Sequence, residues 1–408
     1  MEMKEEQLIR KIRERLTICQ DLDDIDAMGI ILDCILEEAD MCMAEMKELE
    51  LLAEKIFLKT RRSLGILTPL VEDSEITEIM VNGPDKIFYE KEGNILRASM
   101  CFDSEEELEE IMQRIMSEVH REINELNPIA DARLPDGSRV NGVFRNIAVS
   151  GSTLTIRKFS DNYMELEDLT ANGTMTPDTA LLLEALTFCG YNLFVSGGTS
   201  SGKTTLLNAL GGCIDPSERV IVIEDSAELK LNHSENLVHM ECRQDNRMGR
   251  GGVTMAGLIK SSLRMRPDRI IVGEVRGEEV VDMLQAMNTG HAGSMSTGHG
   301  NSVKGMLKRL ESMYLMAVPL EIDAIRAQIA EGIDIMIHVE KISYGRRVMS
   351  VSELLGYEEG EFLLNELIAF DGKDTAIPTG SFMRNTDRLF RKGEKYIDRL
   401  QHMGFVSI

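Results

Sequence analysis

One stretch constrains this chain more than any other: Asn192-Leu193-Phe194-Val195-Ser196-Gly197-Gly198-Thr199-Ser200-Ser201-Gly202-Lys203-Thr204-Thr205. An apolar run, a glycine loop and an apolar continuation through Leu206 and Leu207 predict strand, loop and helix in that order. Gly197 and Gly202 followed by Lys203-Thr204 fit the spacing G-x-x-x-x-G-K-[ST]. Small residues are required there because the backbone must wrap a phosphate closely, its N–H groups turned inward at a helix N-terminus. The cradle therefore comprises Gly197, Gly198, Thr199, Ser200, Ser201, Gly202, Lys203, Thr204 and Thr205. Lys203 reaches the β- and γ-phosphates, the Thr204 hydroxyl serves Mg²⁺, and Thr205 sits near the α-phosphate. A glycine turn that binds nothing would not need this strand before it and this helix after it.

A chain of 408 residues has room for two or three domains. Residues 1–62 read as a helical segment: Leu8, Ile12 and Leu16 recur at helical spacing, as do Ile31, Leu32, Ile35 and Leu36, and Met46, Leu49, Ala53 and Ile56. The segment is either a docking module or a helical cap. Residues 63–160 read as an α+β domain. Thr77–Val81 and Lys86–Tyr89 flank Asn82-Gly83-Pro84, a helix is expected from Ser104 to Asn124, and Pro135-Asp136-Gly137 turns a hairpin. Thr153–Phe159 closes that domain, and residues 161–177, rich in turn residues, read as a linker that permits hinge motion.

From residue 178 to 340, helices alternate with short apolar strands, the pattern of a parallel sheet covered by helices in an α/β nucleotide-binding domain. The expected strands are Leu193–Ser196, Val220–Glu224, Leu237–Glu241, Ile270–Gly273, Gly293–Thr297 and Ile333–Val339. Residues 341–408 read as a C-terminal subdomain of two further strands, Arg347–Leu354 and Glu361–Ile368, and one helix, Arg388–Met403.

Charge and cysteines narrow the function. Lysine plus arginine number 45 against 69 acids, a net −24, which disfavours nonspecific binding to nucleic acid or anionic lipid. Seven cysteines, never spaced C-x-x-C, argue against a zinc site or a disulfide framework. No apolar run approaches a membrane span and Met1–Arg15 is charged rather than signal-like, so a cytoplasmic location is expected.

The carboxylates that accompany the glycine loop decide its chemistry. Val220-Ile221-Val222-Ile223 ends in Glu224-Asp225, and Ile270-Ile271-Val272-Gly273 ends in Glu274; ligands in such sheets lie at the carboxyl ends of strands. Glu224 is assigned to polarise the attacking water and Glu274 to orient Mg²⁺ through its water shell, although either acid could be an ordinary solvated strand end. His291 and His299 bracket a further strand, and an imidazole at its end can donate to a γ-phosphate. A loop histidine bonded to backbone is the alternative. Arg133, Arg139, Arg157, Arg264, Arg266 and Arg276 are candidates to neutralise charge on the transferring phosphoryl group, with Arg139 and Arg157 preferred. No N-K-x-D sequence supports guanine, so ATP is the expected nucleotide.

Together, Gly197–Thr205, Ile223-Glu224-Asp225, Arg266–Gly277 and Thr289-Gly290-His291 resemble the type II/IV secretion ATPase superfamily. Glu78–Gly83 and Leu134–Asn141 are most similar to its Tad/Flp pilus-assembly branch. The implied fold class is α/β: a RecA-like P-loop ATPase domain preceded by an α+β N-terminal domain and the helical segment. The resemblance implies a homo-hexameric ring at the cytoplasmic face of the membrane, with inner-membrane platform proteins as partners, no nucleic acid, and only indirect membrane association. It implies ATP bound between the two main domains, and an acidic box at Ile223-Glu224-Asp225 whose glutamate is catalytic. It also implies a Walker B element at Val272-Gly273-Glu274, a histidine box ending at His299, and phosphate-sensing arginines at Arg139 and Arg157. Two departures stand out. Gly298 and Gly300 flank His299 where the family carries a bulkier residue and an alanine, and the tetra-cysteine zinc element of some branches is missing. The rival readings are a conjugation-type ATPase, a nonhydrolysing nucleotide-dependent scaffold and a DNA translocase.

Overall fold

Apolar residues spaced three and four apart shape the N-terminal stretch into three helices, α1 (Glu2–Ile18), α2 (Asp24–Leu36) and α3 (Met46–Arg61). Leu8, Ile12, Ile31, Ile35, Leu49, Ala53 and Ile56 from the expected stripes form their shared core, whereas Leu36 and Met46 face outward. A 3₁₀ turn (Gly65–Leu67) and α4 (Thr68–Glu72) lead to β1 (Ile76–Asn82), β2 (Ile87–Lys91), β3 (Asn94–Arg97), α5 (Glu105–Glu118), β4 (Ile129–Arg133), β5 (Arg139–Val143) and β6 (Thr153–Arg157). The six strands form one sheet in the order β3-β2-β1-β6-β5-β4. Helix α5 begins where Ser104 accepts from the Glu107 amide, and it buries Leu108, Ile111, Met112, Ile115 and Met116 against that sheet. It ends at Glu118 rather than near Asn124, because the chain leaves the helix through His120 in the left-handed region at φ +56°. Lys59 of α3, itself buried, pairs with Asp103 and with Glu107 (3.0 Å).

This computed structural model describes residues 2–18, 22–37, 46–134, 136–159, 163–243, 250–373 and 375–407. Two of the seven cysteines, Cys19 and Cys42, together with Pro135 of the expected hairpin turn and Asp161 at the start of the expected linker, lie outside the described residues. The chain divides into two units, Met1–Asp161 and Asn162–Ile408.

In the second unit α6 (Leu166–Ala171) and α7 (Pro177–Cys189) precede β7 (Leu193–Gly197), α8 (Lys203–Gly211), β8 (Val220–Glu224), β9 (Leu237–Glu241), α9 (Met255–Ser262), β10 (Arg269–Val272), α10 (Glu279–Asn288) and β11 (Met295–His299). Then come α11 (Val303–Ala317), α12 (Ile322–Gly332), β12 (Ile335–Ile342), β13 (Gly345–Glu358), β14 (Glu361–Phe370), β15 (Ala376–Pro378), α13 (Asp387–Lys392) and α14 (Glu394–His402). Nine strands form one sheet, β15-β14-β13-β12-β7-β11-β10-β8-β9. Its strands from β12 to β9 run parallel, and β13 to β15 extend it antiparallel. Alternation along the strands feeds two cores: Val195, Val220 and Val222 face α6, α7, α8, α13 and α14, while Phe194, Ile221, Ile223 and Ile270 face α9 to α12. The fold is thus the α/β, RecA-like class read from the sequence.

Two local expectations change. Of the stretch read as a linker, the described residues 163–177 contain α6 and bury Leu166, Leu169 and Met175 in the core beneath α7. The strands of the C-terminal segment complete the α/β unit by continuing the same sheet. Its expected single helix is two, broken at Gly393, where a Cβ would meet Cys189 Sγ at 2.6 Å and Leu389 O at 2.9 Å.

Candidate active site

Four neighbouring parallel strands, β7, β11, β10 and β8, end side by side, and their carboxyl ends carry Gly197, His299, Gly273-Glu274 and Glu224. Register fixes the row: His299 pairs with Gly197, and Val272 pairs with both Ser296 and Ile223. The strand expected over Gly293–Thr297 lies two residues further on, at Met295–His299, which makes His299 its terminal residue. His291 precedes that strand instead and donates through Nδ1 to the Ala286 carbonyl at 3.3 Å, a backbone-bonded loop histidine apart from the row.

The glycine loop runs from β7 into α8. Gly197 has no room for a side chain, because a Cβ would meet Val339 O at 2.4 Å and Ser201 Oγ at 2.5 Å. Ser201 Oγ donates to Gly198 O (2.9 Å), Ser200 takes φ +56°, and Gly202 takes φ +96° immediately before Lys203. Arg346, 146 residues further along on β13, donates from Nε to Ser200 O at 3.0 Å and lays its Cδ over Gly202. Thr199 and Ser200 are exposed, and Thr204 and Thr205 stand half-buried in the first turn of α8.

Lys203 is buried, and its ammonium donates to Gly198 O (2.8 Å) and Gly197 O (3.2 Å) and lies 3.3 Å from His299 Nδ1. An ammonium can only donate, so Nδ1 carries the lone pair and Nε2 the proton. Nε2 lies 2.8 Å from Glu274 Oε1. Burial pushes the imidazole below its ordinary pKa; Glu274 opposes this, and Lys203, Arg276 and Arg309 add to it. The other carboxylate oxygen, Glu274 Oε2, accepts from Arg276 Nε (2.9 Å) and Nη2 (2.6 Å), a side-on pair that raises the guanidinium pKa. Arg276 Nη1 is also 3.5 Å from Asp225 Oδ2. Thr297 Oγ1 donates to Gly273 O (2.7 Å), tying the end of β10 to β11.

The glycines around His299 have a packing cause. A Cβ on Gly298 would meet Met306 Cε at 2.8 Å, and one on Gly300 would meet Met306 Cβ at 3.0 Å, so Met306 of α11 fills the space that bulkier residues would need.

Glu224 is buried at the end of β8. Its Oε2 accepts from the Glu228 amide (3.1 Å), the Leu229 amide (3.2 Å) and His239 Nε2 (2.6 Å). Of the remaining second-unit arginines, Arg264 and Arg266 follow α9 and stand before β10, at the amino end of that strand rather than in the row. In the first unit, cross-strand register sets Arg133, Arg139 and Arg157 opposite one another on β4, β5 and β6, with Glu78 of β1 beyond Arg157. His239 and Arg346 escaped the sequence reading, whereas Gly273 was named in the Walker B element without the close approach of Glu224 that requires a glycine there; only register with β8 could have flagged His239.

Mg²⁺ fits these residues on one observation: Glu274 Oε1 is buried and accepts no aligned hydrogen bond, as suits an oxygen that serves a hydrated cation.

The family model described as type II/IV secretion system protein matches residues 60–340. The conjugal transfer protein TrbB of Rhizobium radiobacter is 33% identical over 314 residues, covering 76% of this chain and 93% of TrbB. The type IV secretion system protein PtlH of Bordetella pertussis is 32% identical over 302 residues, covering 68% of this chain and 89% of PtlH. Among solved structures, the pilus retraction motor PilT with bound ADP superposes with a TM-score of 0.52 at 19% identity, covering 82% of this chain and 88% of PilT, a likeness of fold. With more than half its length matched by the family model and relatives of this identity spanning most of theirs, the chain belongs to the type II/IV secretion system protein family.

Proposed function

We propose that the chain is an ATP-hydrolysing motor of a secretion or pilus-assembly machine. The observation that carries this reading is the row of strand ends, in which Lys203, His299 and Glu274 are linked at 3.3 and 2.8 Å and Glu224 stands on the next strand. In this reading the amides of Gly198 to Thr204 cradle the phosphates and Lys203 balances their charge. Glu224 takes the proton of the attacking water. His299, whose Nε2 faces Glu274 Oε1 at 2.8 Å, would donate from that nitrogen to the γ-phosphate, and Arg276 keeps Glu274 oriented. Thr204 and Glu274 would hold magnesium, which when bound neutralises charge on the phosphates. Arg139 and Arg157, neighbours across β5 and β6, serve as phosphate-sensing cations supplied by the first unit.

The finer reading is a homo-hexamer that drives an inner-membrane platform protein from the cytoplasmic side. No helix among the described residues is long and apolar enough to cross a membrane. The motifs around Glu78–Gly83 and Leu134–Asn141 support the Tad/Flp branch. The names of TrbB and PtlH support a conjugation-type or type IV secretion role equally well.

Steady-state ATP turnover of the wild type beside Glu224→Gln, with equilibrium nucleotide binding of both, tests the reading. The substitution is expected to leave binding within about twofold and to lower kcat by about 10² or more. ATP binding without turnover in both proteins, even when assembled, would favour the nonhydrolysing scaffold.

A further inference from the structure

Glu224 is held from both sides by neighbours on different strands. On the β9 side, His239 Nε2 lies 2.6 Å from Oε2, and because a carboxylate oxygen only accepts, that nitrogen carries a proton and donates it. The Glu228 and Leu229 amides donate to the same oxygen, so Oε2 is engaged by three N–H groups. On the β10 side stands Gly273, where a Cβ would meet Glu224 Cγ at 2.8 Å and Oε1 at 3.2 Å. Oε1 is therefore the oxygen turned towards the strand that carries Glu274 and, beyond it, His299 and the glycine loop. One oxygen is anchored and the other is aimed.

We propose that His239 is a positioning residue for ATP hydrolysis: by donating to Oε2 it fixes the rotamer of Glu224 so that Oε1 faces the attacking water. The inference rests on the proposed role of Glu224 as the residue that polarises that water. His239 acts through Glu224 and touches no phosphate. It suits the task because β9 is the edge strand beside β8 and its register sets His239 opposite Val222, two residues before Glu224 on the same face. A glutamine at 239 places an amide N–H on a side chain of similar reach, whereas alanine leaves Oε2 with the two backbone donors alone.

The test is a double-mutant cycle with four proteins, wild type, His239→Ala, Glu224→Gln and the double variant, together with His239→Gln. For each, kcat and KM for ATP, the dissociation constant of a fluorescent ATP analogue and the melting temperature are measured. His239→Ala is expected to lower kcat about ten- to a hundredfold, the scale of a reacting group misplaced by about 1 Å, with the dissociation constant unchanged. His239→Gln should recover most of that loss. In the Glu224→Gln background, His239→Ala should change residual turnover by less than about twofold, because the group it positions is already disabled. An equal fold-loss in both backgrounds, or unchanged kcat in His239→Ala, would overturn the proposal. Equal turnover by wild type and Glu224→Gln would instead remove the premise, an outcome read from different proteins. Because His239 is partly exposed at 28% on an edge strand, the alanine variant is expected to fold, and the melting temperature checks this.

Discussion

Gly273 shows how little space separates the two acids of this site. Its missing side chain leaves room for the Glu224 methylene, and any Cβ would displace the carboxylate at its own Cγ rather than at a flexible tip. Gly273→Ala is therefore expected to lower ATP turnover at least about tenfold while nucleotide affinity stays within about twofold, since the glycine loop is carried by another strand. Turnover equal to the wild type would show that Glu224 tolerates the shift. Met306 acts in the opposite sense: it occupies the volume beside Gly298 and Gly300 and so compensates for the absent side chains around His299.

At the scale of elements, the sheet keeps its chemistry at one end and its structural ion pairs at the other. Arg269, at the amino end of β10, is 1% exposed; it pairs with Glu218, donates to Thr187 O (2.8 Å) and Phe188 O (3.3 Å), and lies where a Cβ on Gly293 would stand. Removing one partner of a buried pair strands the other and orphans the carbonyls. Arg269→Ala is expected to cost about 3 kcal/mol of stability with nucleotide affinity unchanged, measured by denaturant unfolding and equilibrium binding. A loss under about 1 kcal/mol would contradict the account. Elements of this kind were largely legible in the sequence, because Val220–Glu224 and Leu237–Glu241 are short apolar runs bounded by turn residues. Helix ends were less so: the left-handed His120 and the close approach of Gly393 to Cys189 are set by tertiary packing, which no local pattern encodes. The same holds within the site. Lys203, Glu224, Glu274 and His299 announce themselves by motif and by position at strand ends. His239 becomes visible only once β9 is known to lie beside β8, and Arg346 reaches the glycine loop from a hairpin 146 residues away.

At the scale of the whole molecule, apolar burial is unevenly shared. The three N-terminal helices are held by a small cluster of their own, built around Ile12, Ile31, Ile35 and Ile56, whereas the parallel sheet of the second unit is packed on both faces. Local opening free energy follows such differences in buried contacts. Backbone amides of α1 to α3 are accordingly expected to exchange with deuterium well before those of β7, β8 and β10, a difference that native-state exchange with mass spectrometry resolves. Equal protection would mean that the helices draw their stability from the rest of the chain.

The nine-stranded sheet has one further consequence, concerning how copies of this protein can meet. Its outer borders are β9, a strand of five residues, and β15, three residues ending in Pro378, which has no amide hydrogen to offer. A short strand at each border, and a proline at one of them, make both poor templates on which another main chain could lengthen the sheet.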